Sequence, residues 1–309
     1  MKTKIGLILV VLGMLFQSLN ADITTGLVAY YPFNGNANDA SGNSNNGTVK
    51  GAQLTTDRNG KANSAYHFNG VSDHITLNPS ATLSLGANGF TLSAWVNAEK
   101  LSDNVNPGND QLQVIVADGA PNVREFSYYM GLNPNKLQVS FAGSASYPNN
   151  TQMQSGSFSN TFKINTYYHI VTVYDGDKVY GYVNGNLISS QDVDNGIKPY
   201  ALIDYVVIGM SAAIGEHGYP QSSSDDWVEF KGIIDDVRIY NRALTASDVK
   251  DLYDSEKPVE DSIWPTSWTK TCEKGDGQLQ YAGKRFSTWS NWSTDGTNWN
   301  TVTLLSTTA

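Results

Sequence analysis

One cysteine, Cys272, stands among the 309 residues. A lone thiol cannot close an internal disulfide, so the fold must hold by its core, its sheets or a bound ion. Positive charge is also scarce: 20 Lys and Arg stand against 29 Asp and Glu, for a formal net charge of −9. With no cluster of basic residues, that balance excludes nucleic acid as the partner. Histidine is rare as well, with four residues, His67, His74, His169 and His217, and no H-x-x-x-H spacing that would mark a zinc hydrolase. No D-x-[DN]-x-[DN]-G run with a closing glutamate marks an EF-hand. Past residue 21 no apolar run is long enough to span a bilayer.

The one long apolar run lies at the start. Lys2 and Lys4 precede Ile5 to Phe16, and a short polar stretch ends at the small residue Ala21. A basic segment, an apolar segment and a small residue are the parts of an export signal, expected over residues 1–21. Its removal takes two lysines and no acid, so the charge moves from −9 to −11. The expected location is secreted or at the cell surface, extracellular or periplasmic.

From Leu27 to Asp254 the pattern is strand and turn. Phe90 to Val96 and Tyr168 to Tyr174 alternate with period two, so one face of each is buried. Asp175-Gly176 and Asn184-Gly185 separate alternating runs, and both pairs tolerate positive φ, which makes a meander of tight hairpins. One short helix is expected over Thr245 to Tyr253, with Thr245 and Asp248 as its capping pair. The fold class is therefore all-β, about a dozen strands in an antiparallel two-sheet jelly roll over residues 22–254. A polar linker is expected at 255–263. Residues 264–309 hold five of the seven tryptophans and read as a partial Trp-rich β module.

Five segments in order carry a resemblance. They are GLVAYYPFNGNANDASGNSNNGTVKGAQ at 26–53, AYHFNGVSDHITL at 65–77, FTLSAWV at 90–96, YYHIVTVYDGDKVYGYVNGNLI at 167–188 and GIIDDVRIYNRALTASDVKDLY at 232–253. Together they resemble the laminin-G-like jelly roll of the concanavalin A-like lectin/glucanase superfamily. Many relatives have Trp where this chain has Tyr168. The resemblance implies two curved antiparallel sheets, often with a calcium ion at one edge, in modules that bind glycans, proteins or cell surfaces. Some members are enzymes.

The Asn-rich loop at 34–47 suits a hard cation. Asp39 offers a carboxylate, and Asn34, Asn36 and Asn43 offer amide oxygens, the donors that Ca2+ prefers. A second carboxylate is needed. Strict alternation in Ile233 to Tyr240 puts Asp235 on the core face with Ile233, Val237 and Ile239, and a buried carboxylate needs a partner. In the resemblance the same two segments meet at the metal. Asp39 and Asp235 are thus the expected ligands, with Asp236 a surface or Arg-paired acid. A second reading of the same residues stays open: a solvated loop held by Asx turns, with Asp235 paired to a backbone amide or an arginine.

Catalysis is poorly supported. Glucanases of this superfamily carry Glu-x-Asp-x-x-Glu on one strand, and no such run occurs here. No catalytic residue is assigned. Tyr128, Tyr129, Tyr147, Tyr182 and Trp227 are candidate platforms for sugar rings, although alternating tyrosines also simply fill sheet surfaces. The expected function is a non-catalytic, calcium-binding glycan-binding or adhesion module. The alternatives are a glycoside hydrolase or lyase with an unusual site, or a structural surface domain that binds protein.

Overall fold

The computed structural model describes residues 23–86, 89–101, 112–119, 126–133, 135–143, 152–193, 205–210, 227–258, 279–281 and 284–286. The expected export signal lies outside them. Two compact units divide the chain, residues 1–259 and 260–309. In the second unit the described part is one hairpin, Leu279–Tyr281 with Lys284–Phe286.

The first unit is the two-sheet sandwich that the alternation predicts. One sheet holds β1 (Leu27–Tyr31), β3 (Gln53–Thr55), β4 (Ala65–Asn69), β6 (Phe90–Ala98), β11 (Tyr167–Tyr174), β12 (Lys178–Val183), β13 (Asn186–Asp192) and β16 (Lys231–Tyr240). Its order is β13-β12-β11-β6-β16-β4-β3, with β1 also on β16. The other sheet holds β2 (Gly47–Lys50), β5 (His74–Leu77), β7 (Leu112–Gly119), β8 (Phe126–Asn133), β9 (Lys136–Gly143), β10 (Gln152–Ser159), β14 (Tyr205–Ile208) and β15 (Trp227–Glu229). Among the described strands the pairings are antiparallel except β15 on β7. Neighbours far apart in sequence, such as β6 beside β16, give the jelly-roll connectivity.

The core lies between the sheets, where Phe33, Phe68, Phe90, Leu92, Ile170, Tyr128, Met130, Ile208, Ile234, Val237 and Ile239 pack together. The two expected hairpins form. Asn184 and Gly185 both take positive φ, 51° and 73°, between β12 and β13, and the Asn184 side chain accepts the His169 amide at 3.0 Å. The Asn69-Gly70 turn does something different. It joins β4 to β5, which lie in different sheets, so it carries the chain across the sandwich instead of closing a hairpin.

Helix α1 (Ala246–Glu256) lies against the outer face of the first sheet, its Val249 and Leu252 packed with Val171, Val173, Tyr182 and Tyr240. Thr245 and Asp248 form the expected reciprocal cap, at 3.1 and 3.0 Å. The helix runs further than its sequence suggests: Ser255 and Glu256, read as linker, are its last two residues.

Candidate functional site

The five residues expected to hold a cation fall into two separate groups. Asp39 sits in the loop after β1, and its carboxylate accepts four hydrogen bonds from β1 and the loop. Its Oδ1 accepts the amides of Tyr30 at 2.9 Å and Ser41 at 2.8 Å. Its Oδ2 accepts the Ser41 hydroxyl at 2.8 Å and the Asn45 amide at 3.0 Å. Asn36 turns its oxygen to the Asn38 amide at 2.8 Å, and the Asn34 oxygen accepts from the Lys61 ammonium. Asn43 presents its NH2 inward, to the carbonyls of Leu27 and Val28 at 3.2 Å each. The loop is folded around a carboxylate, with Asx-type turns at Asn36 and Asp39, while Asn34 and Asn43 tie it to Lys61 and to β1.

Asp235 lies elsewhere. Strict alternation fails in β16 because Asp236 takes φ 45° and the register against β6 slips between Asp235 and Arg238. One extra residue on the bulged strand changes the phase of the faces. Ile234, Val237 and Ile239 therefore face the core. Asp235 instead stands beside Trp95 of β6 and pairs with the Arg58 Nη1 at 2.6 Å, while also accepting the Asp236 amide at 2.8 Å. This corrects the face assigned to Asp235 and matches the second reading, an arginine and a backbone amide. Tyr30 marks the separation: its amide bonds Asp39, whereas its hydroxyl, at the far end of the side chain, donates to Asp236 at 2.7 Å. Asp39 and Asp235 have no bonding partner in common, and the side-chain oxygens of Asp39, Asp235, Asn34 and Asn36 already meet an N–H, an O–H or a cation. Among the described residues no group of three or more His, Cys, Asp or Glu side chains is placed to hold a metal. Asp39 and Asp235 thus belong to separate hydrogen-bond networks.

What the bulge does create is a compact cluster of buried charge between the first sheet and α1. Arg58 comes from a turn in which Asp57 accepts the amides of Asn59 and Lys61, each at 2.8 Å. Its second nitrogen reaches Asp236 at 2.8 Å, and its Nε donates to the Glu256 backbone carbonyl at 2.9 Å. Its guanidinium lies 4.5 Å from the centre of the Trp95 ring. Arg238 pairs with Glu256 and stacks on Tyr30 at 3.8 Å, while the Trp95 indole N–H donates to Glu256 at 2.8 Å. His169 completes the group, its ring tilted against Trp95 with centroids 5.2 Å apart and sharing a 2.9 Å hydrogen bond with the Ser93 hydroxyl.

Two guanidiniums here face three carboxylates, leaving one negative charge in excess where water is excluded. Burial, and then the charge of Asp236, pushes the Asp235 carboxyl up to about 8, against the pull of Arg58. Burial likewise pushes Glu256 up to about 7, opposed by Arg238. Burial, aided by Arg238 and Arg58, drives the His169 imidazole down to about 3. Folded values above the unfolded ones mean that folding takes up protons. The contribution of Asp235 and Glu256 is full below their ordinary values and is lost as pH rises through about 7 and 8. His169 works in the opposite sense, its contribution being lost only as pH falls below 6.5 toward 3. The melting temperature is therefore expected to fall between about pH 6.5 and 8.5, by an amount equivalent to roughly 1–2 kcal/mol. Thermal melts across that range check this. Asp235→Asn should flatten the slope, and a rise with pH would contradict it.

The aromatic candidates scatter. Tyr128 faces the core, and Tyr182 lies under α1. Tyr129 is on the outer face of the second sheet, with Leu112, Val114 and Val207, its hydroxyl accepting the Gln138 amide at 3.0 Å. Tyr147 and the Trp227 side chain lie outside the described residues. Sequence reasoning missed Arg58, Trp95 and Glu256. Arg58 sits in an ordinary Asp-Arg-Asn-Gly turn, and Glu256 sits in a run whose charge and proline imitate a linker.

The architecture defines a class: a two-sheet jelly roll of the lectin type. A laminin-G-type family model, described as the concanavalin A-like lectin/glucanases superfamily, matches residues 68–250, and the chain belongs to that superfamily. No protein of curated function matches it in sequence. Solved structures give the same fold. The binding domain of Paraclostridial Mosquitocidal Protein 1 is similar at TM-score 0.58 and 20% identity, over 76% of this chain and 53% of that one. Botulinum neurotoxin type C, whose passage into cells depends on interaction with two ganglioside molecules, is similar at 0.54 and 16%, over 75% and 52%. The binding domain of botulinum neurotoxin DC, in complex with rat synaptotagmin II, is similar at 0.54 and 15%, over 75% and 52%. The chain spans about half the length of these proteins. Among the described residues no helix is long and apolar enough to cross a membrane.

Proposed function

We propose that the jelly roll is an exported, non-catalytic module that binds carbohydrate outside the cell. The observation that carries this reading is the fate of the acids in the cluster under α1. The superfamily joins lectins and glucanases, and a retaining glucanase needs two carboxylates about 5 Å apart, open to substrate, with one ready to donate a proton. The adjacent carboxylates that the fold makes, Asp235 and Asp236, share the single Arg58 fork and are nearly closed to solvent. Glu256 is held by Arg238, and Asp248 by Arg242 at 2.8 Å. These acids are engaged by arginines in structural pairs, which leaves the lectin branch as the better match. Binding outside the cell also accords with the Lys2–Ala21 segment and the acidic net charge of −9.

A glycan array probed with the purified chain, alongside an assay for newly released reducing ends on each ligand found, tests the reading. Binding without release is expected. Release of reducing ends that disappears on substitution of an Asp or Glu would overturn it in favour of a hydrolase. Silence on the array, with a cell-surface protein captured instead, would overturn it in favour of protein recognition.

A further inference from the structure

The expected cation and the observed arginine point to one conclusion. We propose that the Arg58 guanidinium is the domain's built-in cation, bridging Asp235 and Asp236, and that it makes the jelly roll independent of calcium. The geometry is that of a filled site. Nη1 and Nη2 each meet a different carboxylate, at 2.6 and 2.8 Å, and Nε meets the carbonyl of Glu256 at 2.9 Å. A guanidinium offers five N–H donors in a fixed fork, and this one meets oxygen at all three nitrogens. The side chain is 4% exposed, and its flat face lies on Trp95.

The bulge explains the arrangement. Neighbouring residues on a regular strand point to opposite faces, yet Asp235 and Asp236 converge on one guanidinium because Asp236 takes a positive φ of 45°. That backbone strain is the kind which persists only where the surroundings fix it. Arg58 supplies what a divalent ion would otherwise supply: positive charge and directed bonds to oxygens of two chain segments. It is also tethered by the turn Asp57–Lys61, so it cannot be chelated away or diluted out.

Melting of the full chain in EDTA and then in millimolar CaCl2 tests the proposal, and this readout does not depend on the carbohydrate assignment. The wild-type midpoint is expected to agree within about 1 °C in the two conditions, since a ligand that does not bind the native state cannot stabilise it. Arg58→Ala is expected to melt lower by roughly 5–15 °C, because it strands two buried carboxylates. Calcium should then raise the midpoint of the variant by a few degrees while leaving the wild type unmoved, as the freed oxygens acquire a cation. A calcium-dependent rise in the wild type would overturn the proposal, and so would an Arg58→Ala protein that melts like the wild type. Should Arg58→Ala fail to fold, Arg58→Lys keeps the charge and loses the fork. That protein is expected to melt between wild type and unfolded and to respond to calcium; a wild-type midpoint without response would overturn the bridging role.

Discussion

Arg238→Met is expected to destabilise the jelly roll by about 3–5 kcal/mol, the usual cost of breaking a buried ion pair from one side. Methionine replaces most of the lost volume, so the effect isolates charge. Arg238 is 8% exposed, pairs with Glu256 and stacks on the ring of Tyr30 at 3.8 Å. Without it the Glu256 carboxylate, on a side chain 9% exposed, keeps the Trp95 indole N–H as its donor. The cluster would then hold three carboxylates and one guanidinium. Chemical denaturation measures the loss. The second arm is the double variant Arg238→Met/Glu256→Gln, which removes the stranded charge and is expected to recover about half of the loss, the two sites being coupled by direct contact. No recovery would mean that Arg238 works by stacking on Tyr30. A single-variant loss under about 1 kcal/mol would mean that the pair is screened as surface pairs are. The consequence reaches the end of the helix: Glu256 is the last residue of α1, so the pair fixes that end against the sheet.

Much of this architecture is legible in the sequence because it follows from local chemistry. Alternation in Phe90 to Val96 gives β6 because successive strand residues point to opposite faces, although the sequence suggests one buried face and the strand is buried on both, with Trp95 covered by Tyr253 and Glu256 of α1. Asn184-Gly185 gives its hairpin because both residues accept positive φ. Thr245 and Asp248 give the start of α1 because the first-turn amides need acceptors. The cluster is not legible in this way, and the reason is physical. A β-bulge adds one residue and leaves no reliable mark in composition, so period-two counting places Asp235 on the wrong face. The cluster around that aspartate draws on residues 58, 95 and 256, which are brought together by strand pairing and helix docking that no local pattern encodes. The end of α1 is hidden for a related reason. Glu256 and Lys257 look solvated in a charged run before Pro258, and only the tertiary contacts with Arg238 and Trp95 show the glutamate to be buried.

Asp39→Ala is expected to cost about 2–4 kcal/mol, because one carboxylate organises the whole Asn-rich loop and charged acceptors make the stronger hydrogen bonds. The effect passes through Asn45. Asp39 holds the Asn45 amide at 3.0 Å. Asn45 in turn accepts the hydroxyl of the buried Tyr31 at 2.6 Å on its carbonyl, and donates its side-chain NH2 to Val28 and Thr82, each at 2.8 Å. Loss of the carboxylate therefore unsettles β1 and the 3-10 turn at Ala81–Leu83 as well as the loop. Asp39→Asn should cost less, roughly 1–3 kcal/mol, since one oxygen still serves one pair of donors while its NH2 group confronts the other pair. Denaturation of both variants, with and without EDTA, separates a folding role from a metal-ligating one. For a metal ligand the loss would appear only when calcium is present, because the variant would merely forfeit the ion's binding energy. For a carboxylate bonded to Tyr30, Ser41 and Asn45 the loss is the same in both conditions, since all four donors belong to the chain itself.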